Sequence, residues 1–341
     1  MQTLFYSVTD PHDPALKNVG AILRRGGLAA IPTETVYGLA ANALDDDAVR
    51  GIFRAKGRPA DNPLIVHISD YSQWAPLVQT IPESAKALAD AFWPGPLTVI
   101  LPKSDLISPV VSGGLDTVAV RMPSHPVARA IIDSAGVPLA APSANTSGKP
   151  SPTTAQHVKD DMDGKIDCIV DAGPCSVGVE STVLSLAGAK PRLLRPGGVT
   201  PAMLEQVLGD IDIDDAVFHQ LAAGQTAASP GMKYKHYAPK AQVTILKGSF
   251  AQFQAYVDAH KTPDTLALCF DGEASLLSVP AIAFGKESDG KSQAANIFAA
   301  LRDVDRRGAK QVFARFPKMD GVGLAVFNRL VRAAAFHIVE L

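Results

Sequence analysis

The chain is poor in the residues that would mark it as secreted, metal-clustered or membrane-spanning. Three cysteines stand in 341 residues, Cys168, Cys175 and Cys269. Their number is odd and none belongs to a C-x-x-C pair, so they read as reduced thiols of a cytosolic protein. Eight histidines include no H-E-x-x-H or comparable metal-ligand spacing. The opening MQTLFYSVTDPHDP lacks the basic start and apolar run of a signal peptide. No apolar stretch approaches the roughly 20 residues that span a bilayer. Neither charge is in excess: 32 Lys and Arg face 34 Asp and Glu, a formal net charge of -2. That excludes a broad nucleic-acid-coating surface and leaves room only for a local basic patch. Internal repeats and low-complexity tracts are missing too. The expectation is a cytoplasmic protein with no membrane association.

What is present is an ordinary globular composition, 47% hydrophobic and 19% charged. The length suits two domains, each able to bury its own core. Residues 13–26 predict a helix: Asp13 can cap it, Pro14 suits the first turn, Leu16, Val19, Ile22 and Leu23 share a face, and Gly26 can stop it. Short apolar runs predict strands at 28–31, 64–68, 97–101, 118–120, 138–140, 166–170, 182–186 and 192–194. Helical patterns fall at about 45–56, 82–92, 126–135, 153–161 and 200–208. The mixture without strict alternation predicts an α/β fold with a substantial mixed sheet over residues 1–208.

Residues 209–240 change character, running from an acidic stretch, Asp210 to Asp215, into Ala-, Gly- and Gln-rich sequence that ends at Ser229 to Pro239. Segments of this kind are tethers or functional loops. From 241 to 341 alternation is cleaner, with strands at 242–246, 265–270, 281–284 and 311–315 and helices at 250–260, 293–306 and 322–335. This predicts a smaller, Rossmann-like three-layer α/β domain.

Four segments of the first domain place polar residues beside strand ends, where open α/β sheets bind ligands. Pro32-Thr33-Glu34-Thr35-Val36-Tyr37-Gly38-Leu39 follows the strand at 28–31. Its hydroxyls and glycine suit a small polar ligand, or simply a Pro-initiated turn. Lys56-Gly57-Arg58-Pro59 and Asp61-Asn62-Pro63-Leu64 come next, with His67 in the following strand. Lys56 and Arg58 suit either the helix dipole or a phosphate clamp, and His67 alone would read as a core histidine. Arg121 ends an apolar strand, so it should face solvent or an anion such as a carboxylate. Ala141-Pro142-Ser143-Ala144-Asn145-Thr146-Ser147-Gly148 supplies small and hydroxyl residues that permit close approach to phosphates. Ser181-Thr182 and Arg195-Pro196-Gly197 add hydroxyl and cationic groups.

Together and in this order, PTET-YGL, K-x-R, NPL with a following His, VR-P, APSAN-SG, ST and RPG closely resemble the YrdC-type domain of threonylcarbamoyl-AMP synthases, over about residues 12–208. The SPGM-x-x-x-HY-x-P pattern at Ser229 to Pro239 and the GVGLAVFNRLVRAA run at 321–334 resemble the long form of that family. The resemblance implies L-threonine held by Thr35, His67, Arg121 and Ser181, with Arg121 pairing its carboxylate. It implies ATP held by Arg58, Asn62, Thr117, Ser143, Ser151 and Arg195, with Tyr234 reaching in from the linker. Lys56, Arg58, Ser143 and Asn145 match a tetrad associated with the active site. The implied reaction carboxylates the threonine amine with bicarbonate and lets the N-carboxylate attack the α-phosphate of ATP, expelling pyrophosphate. Mg²⁺ would ride on the phosphates, with no metal ligands of the protein's own. The product would pass to tRNA threonylcarbamoyl-transfer proteins for adenosine 37 of ANN-reading tRNAs, with a weak tRNA contact at most. Segment 229–239 is the expected lid over an intermediate unstable in water.

Two rival readings come from other classes. Gly285-Lys286-Glu287-Ser288-Asp289-Gly290-Lys291-Ser292 satisfies the P-loop spacing between a predicted strand and helix, which would make Lys291 part of an NTPase. Glu287 and Asp289 oppose phosphate there, and a charged loop with Ser292 capping the next helix is the ordinary alternative. An RNA-binding module is the second rival, marked by steeply salt-dependent binding without pyrophosphate release. A carbamoyl-transfer domain like those of hydrogenase maturation is disfavoured, since no acylphosphatase-like or zinc-finger segment is present.

Overall fold

A computed structural model describes residues 2–220 and 237–341. The described residues divide into two compact units, one of residues 2–147 and 151–217, the other of 148–150, 218–220 and 237–341.

In chain order the first unit contains β1 (Leu4–Ser7), α1 (Ala15–Arg24), β2 (Ala29–Ile31), β3 (Gly38–Asn42), α2 (Asp46–Lys56) and β4 (Ile65–His67). It continues with α3 (Glu83–Phe92), β5 (Leu97–Pro102), α4 (Pro109–Ser112), β6 (Thr117–Arg121), α5 (Pro126–Ala135), β7 (Leu139–Ala140) and α6 (Ala155–Met162). Strands β8 (Cys168–Asp171), β9 (Thr182–Ser185) and β10 (Arg192–Arg195), helix α7 (Pro201–Leu208) and strand β11 (Asp212–Ile213) complete it. The strands join one mixed sheet of order β1-β8-β2-β3-β7-β4-β6-β5-β9-β10-β11. Both faces are covered, and the sequence shows how. Ala29 and Ile31 pack with Val19, Ile22 and Ile131 of α1 and α5, while Leu28 and Ala30 pack on the opposite face with Val49 and Ile52 of α2. Alternate residues of one short strand therefore serve two cores, as the two-residue period of a strand requires. Such a strand reads as a continuous apolar run.

Strands β1, β3 and the two-residue β11 escaped the pattern reading. β1 lies at the edge with Leu4 and Phe5 exposed, so no buried face marks it. β3 is built of Gly38, Leu39, Ala40, Ala41 and Asn42, residues of mostly low strand propensity. It forms because β2 and β7 flank it with antiparallel ladders.

The second unit runs β12 (Gln242–Lys247), α8 (Phe250–His260), β13 (Thr265–Cys269), β14 (Ala281–Ala283), α9 (Gly290–Arg306), β15 (Gln311–Arg315), α10 (Gly323–Ala333) and β16 (Ile338–Glu340). Its five strands form an all-parallel sheet of order β14-β13-β15-β12-β16. The P-loop-like stretch is corrected here. Helix α9 starts at Gly290 rather than near 293, and its cap is Asp289, not Ser292. The Asp289 carboxylate accepts from the Lys291 N–H at 3.0 Å, and the Ser292 hydroxyl donates back to the Asp289 carbonyl at 2.9 Å. A carboxylate thus takes the position at the helix start that a phosphate would need, which argues against nucleotide there. Of the linker signature, Tyr237–Pro239 are among the described residues. Tyr237 is buried against Phe298, with the Arg329 guanidinium 5.8 Å from its ring centre. Tyr234 lies outside the described residues.

Candidate active site

The PTET segment is knitted into its surroundings by its main chain. Tyr37 donates its N–H to the Pro152 carbonyl and accepts from Ala144, and the Glu34 carbonyl accepts from Val177. The β7–α6 connection and the β8–β9 connection therefore meet on this one turn. The Thr33 hydroxyl organises the turn locally, bonding the Val36 carbonyl at 2.5 Å and the Thr35 hydroxyl at 2.9 Å.

Arg121 ends β6 pointing into this turn. Its Nη1 donates to Thr35 Oγ1 at 2.9 Å and its Nε to the Gly95 carbonyl at 3.3 Å. Its Nη2 lies 2.7 Å from Glu34 Oε1. The anion that a buried strand-end arginine requires is thus supplied by the chain itself. Burial pushes the Glu34 carboxyl up, but the Arg121 guanidinium outweighs this and holds it below the ordinary carboxylate range. Nε and Nη1 each donate one hydrogen bond here and Nη2 faces Glu34, so N–H groups of Nη1 and Nη2 remain for a ligand carboxylate.

Parallel pairing of β4 with β6 sets His67 directly against Arg121. Its Nδ1 lies 3.2 Å from the Ile65 carbonyl, which can only accept, so Nδ1 carries the proton and Nε2 is an acceptor. Burial, seconded by Arg121, pushes His67 down to about 3. The ring is neutral at physiological pH. On the other side of β6, antiparallel β5 sets Thr98 against Arg121. The Thr98 hydroxyl meets Ser181 Oγ at 2.8 Å, and Ser181 also accepts from Arg195 Nη2 at 3.1 Å. Thr35, Arg121, His67, Ser181 and Arg195 therefore form one continuous buried cluster. Gly197 permits the last approach: a Cβ there would sit 2.3 Å from the Thr182 nitrogen. Ser151 joins the cluster through Glu180, to which its hydroxyl donates.

A second group lies around the end of α2. Asp45 caps that helix by accepting from Asp47 and Ala48, and Gly57, at φ +61°, ends it. This delivers Lys56 and Arg58 on either side of the turn. Buried Lys56 donates to the carbonyls of Ser143 and Asn145, and Ser143 Oγ donates to Asn145 Oδ1 at 2.5 Å. Arg58 Nη2 reaches the carbonyls of Asn62 and Pro63, both at 3.3 Å. The Asn62 amide is fully buried, and neither of its polar atoms has a hydrogen-bond partner among the described residues. Thr117 opens β6, at the strand end where the Asn62–Pro63 segment enters β4, about 13 Å from Arg121 by strand rise. The expected residues thus fall into a buried cluster at the carboxyl ends of β4 and β6 and a cationic, amide-bearing group toward their amino ends. Sequence reasoning passed over Glu34, Thr98 and Glu180 as partners. Glu34 carried a signal, an acid between two threonines in a strand-end turn.

Two family models match the chain in succession. Residues 21–197 match the Sua5/YciO/YrdC family model described as "Telomere recombination", and residues 199–335 match the model of the threonylcarbamoyl-AMP synthase C-terminal domain. The chain is 46% identical to the threonylcarbamoyl-AMP synthase of Pyrococcus abyssi, over 96% of each chain. It is 47% identical to that of Bacillus subtilis, over 98% of each. Its fold is similar to the crystal structure of P. abyssi Sua5 complexed with L-threonine, with a TM-score of 0.92, 43% identity and all of both chains covered. With both domains matched and near full-length identity to synthases, the chain belongs to the threonylcarbamoyl-AMP synthase family.

Proposed function

We propose that the chain makes L-threonylcarbamoyl-AMP and pyrophosphate from L-threonine, bicarbonate and ATP, in the cytoplasm, for threonylcarbamoyl modification of adenosine 37 in ANN-reading tRNAs. The observation that carries this reading is the adjacency of two hydrogen-bonded groups, Arg121 with Thr35 and Ser181 with Thr98 and Arg195, which the β5–β6 register sets side by side by pairing Thr98 with Arg121. An amino-acid carboxylate would take the open donors of Arg121, and its hydroxyl would donate to His67 Nε2. Arg195, touching Ser181, would then stand where the amino-acid and nucleotide ends meet.

Carboxylation of the amine leaves a new anion facing the triphosphate. Catalysis here would consist of holding these anions in line and offsetting their charge, with no covalent nucleophile. Arg58, Arg195 and Lys56 are the cations for it. Lys56 is committed to the Ser143–Asn145 loop, so part of its role would be to fix the loop that cradles phosphate. The orphaned Asn62 amide offers a donor and an acceptor, the pair a purine edge requires, and Ser143, Ser151 and Thr117 would add hydroxyls. Mg²⁺ would enter as part of the MgATP substrate and neutralise its phosphates. Transfer proteins that act on tRNA would receive the product.

Pyrophosphate release, measured with each substrate omitted in turn, tests the reading. Dependence on threonine, bicarbonate and ATP together is expected. Release without threonine would overturn it.

A further inference from the structure

Glu34 has no task in that chemistry, yet it sits in the middle of the cluster. Its side chain is 7% exposed and lies 2.7 Å from Arg121 Nη2. Neither carboxylate oxygen makes a well-angled hydrogen bond among the described residues. Its other titratable neighbours are uncharged. Burial keeps His125 neutral and pushes the Cys175 thiol up. Arg121, seconded by the backbone N–H groups of Glu34 and Ser124, therefore holds the carboxylate ionised, while both oxygens can still take a better-aligned donor. A buried anion in that condition carries a desolvation cost that a cationic donor would offset.

An α-amino acid is a zwitterion, with carboxylate and ammonium on one carbon. Arg121 and Glu34 present the opposite charges side by side, next to the Thr35 hydroxyl. We propose that Glu34 receives the α-ammonium group of the amino-acid substrate while Arg121 receives its carboxylate, so that the pair reads the zwitterion. This rests on the amino-acid reading of the cluster and concerns binding alone; no bond is made or broken. It makes Glu34 a specificity residue. Hydroxy acids and N-acylated amino acids lack the cation and leave Glu34 unmet. Once the amine is carboxylated, the ammonium is gone, and Glu34 repels the new anion toward the cations of the nucleotide side.

Calorimetric titration of the full chain, without ATP, tests this with two ligands: L-threonine and 2,3-dihydroxybutanoate, in which a hydroxyl replaces the ammonium. The unaltered protein should bind threonine at least about tenfold more tightly, the scale of a charge-assisted hydrogen bond in a buried site. Glu34→Gln keeps the shape and should lose about tenfold or more for threonine while changing hydroxy-acid binding less than about twofold. Equal weakening of both ligands would mean that Glu34 only positions Arg121, and would overturn the proposal. Equal affinity of the unaltered protein for the two ligands would overturn it without any variant. If the unaltered protein bound neither, the amino-acid reading itself would fail, and the role of Glu34 with it.

Discussion

Lys56 Nζ donates to the main-chain carbonyls of both Ser143 and Asn145, at 2.7 Å for the latter. A lysine that the sequence offers as a phosphate clamp is therefore also the tie that holds the hydroxyl loop against the end of α2. Lys56→Met should strip a donor from two buried acceptors, at a cost of about 1–3 kcal/mol each. The expected outcome is a lowered melting temperature together with a raised KM for ATP. Loss of activity with an unchanged melt would show that the loop does not depend on Lys56.

Thr35→Val removes, at constant shape, the oxygen that accepts from Arg121 Nη1. About 1–3 kcal/mol of buried hydrogen bonding is at stake. Steady-state kinetics should show the KM for threonine raised about tenfold or more and the KM for ATP little changed.

Ser181 differs because it touches both groups, Thr98 on one side and Arg195 on the other. Ser181→Ala should raise the KM for threonine and for ATP together. A double-mutant cycle with Arg195→Lys should give a coupling above about 0.5 kcal/mol. Additive effects would separate the two residues.

His67 supplies the pH dependence. It is held at about 3 in the folded chain against an ordinary 6.5. Between those values the unfolded chain binds a proton at His67 that the folded chain refuses, so stability falls as the pH falls from 6.5 toward 3. Urea melts of His67→Gln should show a flatter decline across that window than the unaltered protein. Threonine affinity should carry no His67 inflection near neutrality.

Lys291→Ala should leave pyrophosphate release within about twofold of normal, since Asp289 already occupies the start of α9. Asp289→Ala should cost about 0.5–2 kcal/mol of stability through the lost cap and leave turnover intact. Severe loss of ATP turnover in either variant would revive a nucleotide site in the second unit.

The two-domain α/β character could be read from apolar runs and caps, because burial on both sheet faces writes itself as uninterrupted hydrophobic strands. Most long helices were legible to within a few residues for the same reason: Leu16, Val19, Ile22 and Leu23 form a face before any partner is known. Where local signals competed, the reading failed. Asp289 and Ser292 both suit a helix cap, and only the geometry of Gly290 and Lys291 selects the aspartate. β3 has almost no strand propensity of its own and exists through its neighbours.

The sequence by itself determined the polar segments and their order, because each follows a strand end or a helix stop that local residues encode. It could not determine which segments meet. The pairing of Glu34 with Arg121, 87 positions along the chain, and of Thr98 with Ser181 depends on the register of β4, β5, β6 and β9. Register is a property of the assembled sheet, since a slip of one residue would turn Thr98 and Arg121 to the opposite face. Tertiary structure alone decided that a buried carboxylate stands beside the arginine.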